Sequence, residues 1–167
     1  KAMIVAGSAN YTGAPYLAAS AAARVGAGLV TLALPLSIRN VIAASLPEAT
    51  YLPLAEEDGG IARAEAERIR LALAGYRALL IGPGLGRSAG AVECAHRLLQ
   101  SAGLPPIVID ADGLNALAAR DGWWERIPSA CVLTPHSGEF GRLSGLTREE
   151  IEAERTDVAI RCAQAWN

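Results

Sequence analysis

What most constrains this chain is a rhythm of short apolar runs, each closed by a turn-forming or polar residue and followed by a longer segment before the next run. Residues 3–6 end at Gly7, 29–34 at Pro35, 78–81 at Gly82, 107–109 at Asp110 and 131–133 at Thr134. Runs this short and this uniformly apolar read as strands buried on both faces, which is the signature of a parallel sheet. Parallel neighbours need long crossovers, so the intervening segments have to carry helices. The fold class expected is α/β, with a mainly parallel sheet and helices on both faces.

The crossovers support this. Residues 14–25 are rich in alanine and stop at Gly26 and Gly28. Residues 61–73 place apolar or Ala side chains at 62, 66, 69 and 73 with charges between, the period of an amphipathic helix. Ser88 is a suitable N-cap for a helix with apolar positions 91, 95, 98, 99 and 102. A short helix is expected around Leu114, Leu117 and Ala118. Thr147 and Glu150 form a capping box for a last helix, flanked by a Leu146 and Ile151 staple, that is expected to run on through Val158, Ala159, Cys162 and Trp166. Residues 46–60, with two prolines and the acidic cluster Glu56, Glu57 and Asp58, read as an irregular solvated loop.

Composition narrows the function. With 51% hydrophobic residues, 167 residues can form one domain with its own core. A net charge of −2 offers no basic field for a phosphate backbone, so nucleic acid is not expected as a partner. Cys94, Cys131 and Cys162 are odd in number and widely spaced, read as core positions in a reduced, cytoplasmic protein. No run approaches the roughly 18 apolar residues of a membrane span, so a soluble protein with no membrane partner is expected.

In a parallel sheet, ligands bind where the carboxyl ends of the strands open into loops. Four such loops carry unusual residues: 7–14 (Gly-Ser-Ala-Asn-Tyr-Thr-Gly-Ala), 82–86 (Gly-Pro-Gly-Leu-Gly), 110–115 (Asp-Ala-Asp-Gly-Leu-Asn) and 134–139 (Thr-Pro-His-Ser-Gly-Glu). The glycine loop can present backbone N–H groups to a phosphate, or can simply be a tight turn. It also satisfies a permissive dinucleotide pattern, with Asp110 about 20 residues on, where a ribose-binding acid is sought. Asp110 and Asp112 can organise Mg²⁺, while Asp112 can equally well cap the following helix. Asn115 can point into the same crevice or bond locally. His136 stands after a strand and beside Ser137 and Glu139, where ligand contact and an ordinary polar role weigh evenly. His96, inside a helix, reads as structural or exposed.

Together these segments resemble the ADP/ATP-dependent NAD(P)H-hydrate dehydratase family. The resemblance rests on Gly7-Ser8 with Tyr11, Gly13 and Ala14, residues 23–30, residues 81–86, residues 108–115, and residues 133–136 with Gly138, Glu139 and Phe140, all in that family's order. It implies a ribokinase-like three-layer sandwich and the dehydration of NADHX or NADPHX back to NADH or NADPH through a phosphorylated hydrate, with ADP or ATP and Mg²⁺. It places the substrate contacts on Ala14, Gly86 and His136 and a phosphate- or Mg²⁺-proximal role on Asp110, Asp112 and Asn115. It also implies a homo-oligomer. The family's Lys-Gly-x-x-Thr and Gly-Thr/Ser-Gly-Asp segments do not occur in residues 1–167. The expectation is therefore a fold incomplete at its C-terminal end, carrying the substrate-binding half, with the catalytic Asp beyond Asn167 and the isolated piece inactive. Two rivals remain: a ribokinase-like kinase acting on a vitamin precursor, and a non-catalytic dinucleotide-binding module.

Overall fold

The computed structural model describes residues 1–128 and 130–166. Its centre is a six-stranded sheet in the order β3-β2-β1-β6-β7-β8, formed by β1 (Ala2–Val5), β2 (Val30–Pro35), β3 (Thr50–Leu54), β6 (Ala78–Ile81), β7 (Ile107–Ile109) and β8 (Cys131–Leu133). All five pairings are parallel. Strand β1 occupies the middle because its side chains are apolar in both directions. Met3 and Val5 join one core, Ile4 and Ala6 the other.

Each core takes its own helices. The first lies under α3 (Glu65–Ala72), α4 (Ala89–Leu99) and α5 (Asp112–Ala118), where Ile69, Leu98 and Leu114 are fully buried. Burying side chains of that size contributes about 1.5–3 kcal/mol each. The second lies under α1 (Gly13–Arg24) and α2 (Leu36–Ser45), closed by Ala19, Ile38 and Ile42. Ser88 caps α4 as its position suggests, its Oγ accepting from the Ala91 N–H.

Several expectations change. The segment 46–60 is not an irregular loop. Thr50–Leu54 is the edge strand β3, and Glu56–Glu57 and Gly60–Ile61 form a small antiparallel hairpin, β4 and β5. Pro53 fits there because an edge strand has an outer side that donates to no neighbour. Two of the three acidic residues are surface-exposed, but Glu56 also accepts from Ser37 and Glu57 binds Arg63. Helix α2 follows Pro35 directly, where no helix was expected. The last helix is really two, α7 (Arg148–Ala153) and α8 (Arg155–Ala165), broken where Glu154 leaves helical geometry at φ −136° and ψ 46°. The capping box of Thr147 and Glu150 forms on α7. Of the cysteines only Cys94 is buried; Cys131, on the edge strand β8, is exposed and Cys162 is partly exposed. His96 is buried.

Candidate active site

All four unusual loops leave the carboxyl end of the sheet, and a continuous set of short contacts knits them together. The first loop meets the glycine loop through the Gly7 N–H, which donates to the Pro83 carbonyl at 2.9 Å, and through Ser8, whose Oγ donates to the Gly84 carbonyl at 2.9 Å. Ser8 is 5% exposed, so this hydroxyl is a structural fastener. Gly84 lies so close to Tyr11 and Ala14 that a Cβ on it would stand 2.8 Å from the Cβ of each. Ala14, at the start of α1, thus borders the glycine loop.

Gly82 joins the glycine loop to the acidic segment. With φ +130°, and with the Asp110 carbonyl occupying the place of any Cβ, this position admits no side chain. The acidic segment is bent to match, since Ala111 holds φ +47°, a value L-residues seldom adopt. That turn lets the Gly113 N–H donate to the Asp110 carbonyl at 2.9 Å. It also sends the two carboxylates to different tasks. Asp110 Oδ1 accepts from Thr134 Oγ1 at 2.8 Å, linking β7 to the loop after β8. Asp112 Oδ2 accepts from the Gly86 N–H at 2.9 Å, while its Oδ1 accepts from Asn115 Nδ2 at 3.1 Å. Asp112 therefore fastens the glycine loop as well as opening α5, and none of its side-chain hydrogen bonds caps that helix.

His136 is the N-cap of α6 (Ser137–Ser144), so the segment expected as a loop opens a helix. Its Nδ1 accepts from the Gly138 and Glu139 N–H groups at 3.0 and 3.3 Å. An accepting Nδ1 puts the ring proton on Nε2. Glu139 completes the box: its Oε2 accepts from the His136 N–H at 3.0 Å, and its Oε1 lies 3.2 Å from Nε2. The imidazole is thus held at both nitrogens while its side chain stays 68% exposed toward solvent. A His-x-x-Glu reading of the capping box was available at 136–139, and it would have revealed both the helix and the role of Glu139.

Among the described residues no three His, Cys, Asp or Glu side chains gather as a metal site. The donor set suits a divalent ion that brings its own oxygen ligands on a phosphate chain better than one caged by protein alone. The buried thiol of Cys94 is pushed up to about 12 by desolvation, which removes it as a nucleophile.

Residues 2–167 match the family model described as NAD(P)H-hydrate dehydratase. The chain belongs to that family. It is 40% identical to the bifunctional NAD(P)H-hydrate repair enzyme Nnr of Salinibacter ruber and 38% to that of Moorella thermoacetica, covering 99% of this chain and 31% of each relative. Among solved structures, the ADP/ATP-dependent NAD(P)H-hydrate dehydratase of Bacillus subtilis, co-crystallised with ATP and Mg²⁺, superposes with a TM-score of 0.72 at 32% identity, over 97% of this chain and 53% of that one. A ribokinase-like superfamily protein of Enterococcus faecalis aligns with a TM-score of 0.71 at 25% identity, over 89% of this chain and 49% of that one. The dehydratase family fold is therefore ribokinase-like here too. The chain spans about a third of the curated relatives it matches and about half of the solved structures.

Proposed function

We propose that this chain supplies the hydrate-binding part of an enzyme that dehydrates NADHX or NADPHX to NADH or NADPH at the expense of ADP or ATP. The observation that carries the reading is the bond from the Gly86 N–H to Asp112. It joins the glycine loop, which Ala14 borders, to the acidic segment, whose Asp110 is tied by Thr134 to the loop carrying His136. Ala14, Gly86 and His136 would contact the hydrated cofactor. The shallow surface of Ala14 and the side-chain-free Gly86 let a planar ring approach the backbone closely. His136, with its proton on Nε2 and its ring clamped by Glu139, would orient a polar substituent of the substrate.

Asp110 would lie beside the phosphates, oriented by Thr134, with Asp112 and Asn115 holding the floor of the crevice. ADP or ATP with Mg²⁺, when bound, would supply the phosphoryl group that makes the ring hydroxyl a competent leaving group. In this reading the catalytic Asp lies outside these residues, and the groups named here bind and orient. A cytoplasmic, homo-oligomeric enzyme fits the free cysteines and the exposed apolar Val132 on the sheet.

The test is turnover by the full-length protein that contains this chain, given NADHX or NADPHX with ADP or ATP and Mg²⁺. Recovery of nicotinamide absorbance with release of inorganic phosphate is the expected result. A stable phosphoester product would overturn the reading in favour of a small-molecule kinase. Binding of intact dinucleotide with no turnover would point to a non-catalytic module.

A further inference from the structure

The glycine loop has a difficulty that its own residues do not solve. Gly86 has φ +76° and no side chain, so nothing intrinsic holds its backbone in place. Its N–H is fixed by Asp112, and Asp112 is fixed in turn. Asn115, one turn further along α5, donates from Nδ2 to Asp112 Oδ1 at 3.1 Å, and its Oδ1 accepts from Arg142 Nε at 2.8 Å. Arg142 belongs to α6, the helix that His136 opens.

We propose that Asn115 and Arg142 are positioning residues that set Gly86 relative to His136. This rests on the hydrate-binding role given to those two residues above. The relay has a defined polarity. A guanidinium can only donate and a carboxylate can only accept, so the Asn115 amide between them has one orientation that satisfies both ends. Gly86, Asp112, Asn115 and Arg142 therefore form a single chain of three hydrogen bonds from the glycine loop to α6. Arg87, with Nε 3.7 Å from Asp112 Oδ1 and a side chain 67% exposed, adds charge but no comparable bond.

The chain spans two helices that would otherwise meet through packing alone. Because Arg142 is exposed, its contribution to global stability is small. Its effect belongs in the geometry of the crevice, where placement errors are amplified into rate.

The test uses the full-length enzyme. Asn115→Asp keeps the shape of the side chain but opposes a carboxylate to Asp112, reversing the polarity at the middle of the relay. It should raise the KM for the hydrate roughly tenfold, well inside the hundredfold that about an ångström of misplacement can cost. Arg142→Met should do the same more weakly, Arg142→Lys should restore part of the loss, and Arg142→Met added to Asn115→Ala should cost nothing beyond Asn115→Ala alone. Hydrogen–deuterium exchange of the segment containing Gly86 reads the same coupling without substrate. Faster exchange there in Asn115→Asp and Arg142→Met, with unchanged melting temperature, is expected. Wild-type exchange at Gly86 in both variants overturns the proposal. If the unmodified enzyme fails to turn over the hydrate while exchange responds as expected, the functional reading falls and the relay stands.

Discussion

The two halves of the sheet are finished differently. From β3 through β1 to β6 both faces are packed, with α1 and α2 on one side and α3 and α4 on the other. Toward β7 and β8 the second face thins out: Val108 is half-buried and Val132 is 60% exposed. Beyond β8 lies an apolar groove of about 800 Å³, walled by Trp123, Trp124, Phe140 and Trp166. Ala14 and Gly86 stand on the fully packed half, whereas His136 stands on the thinner one. The two sides of the crevice therefore differ in what restrains them. One is fixed by backbone interlocking at Gly82 and Gly84, with Asp112 pinning Gly86; the other is fixed by side-chain bonds at a helix start.

The largest way to break that contrast is Gly82→Ala. A Cβ there coincides with the Asp110 carbonyl at a positive φ, so neither rotation nor a flexible neighbour offers relief. We expect loss of soluble folded protein, or destabilisation beyond about 4 kcal/mol, read by thermal unfolding. A mild effect would mean that the packed half yields far more easily than its contacts indicate.

Trp123→Ala tests the other half. Trp123 is 5% exposed and packs edge-on against Trp124 and Trp166 at centroid distances of 5.6 and 5.0 Å. Its truncation should cost about 3–5 kcal/mol in denaturant melts. Trp123→Phe should be far milder, because the indole Nε1 finds no partner among the described residues and little is lost with it. Equal losses in the two variants would show that the indole N–H is bonded after all.

The smallest effect is a pH dependence carried by His96, which is buried on α4. Burial, and then the Arg120 guanidinium, lower its pKa below 6.5, with Glu93 and the Ala116 carbonyl opposing and Arg126 adding to the lowering. A base with a depressed folded pKa binds its proton more readily when unfolded. The stability it contributes is therefore complete above about pH 6.5 and is lost as pH falls from there through the folded value. Between pH 7.5 and 5.5 the wild type should lose more thermal stability than His96→Leu; parallel curves would show that His96 is not linked to folding.

How much of this was legible in the sequence does not follow that division. Strands β1, β2, β6, β7 and β8 read clearly because their apolar runs are uninterrupted, and the glycine and acidic loops stood out by residue type alone. Helix α2 buries only Ile38 and Ile42, which left too faint a periodicity to see. Strand β3 was hidden by Pro53, whose acceptability depends on lying at an edge, a fact of topology rather than of local sequence. The break at Glu154 carries neither glycine nor proline to announce it. Within the site, residue types marked Asp110, Asp112, Asn115 and His136, but not who bonds whom. That Asp112 serves Gly86, Asp110 serves Thr134 and Arg142 serves Asn115 depends on residues 24 to 27 positions apart meeting in space.

Gly82 has a consequence for how such a crevice can change. Because the glycine loop and the acidic loop share one space, neither can be lengthened, tilted or recoloured with new side chains at that point without displacing the other. The gauge of the crevice is set where an atom is missing. Any retuning has to come from the rim, on the side where His136 is set by side-chain bonds rather than by a shared backbone space.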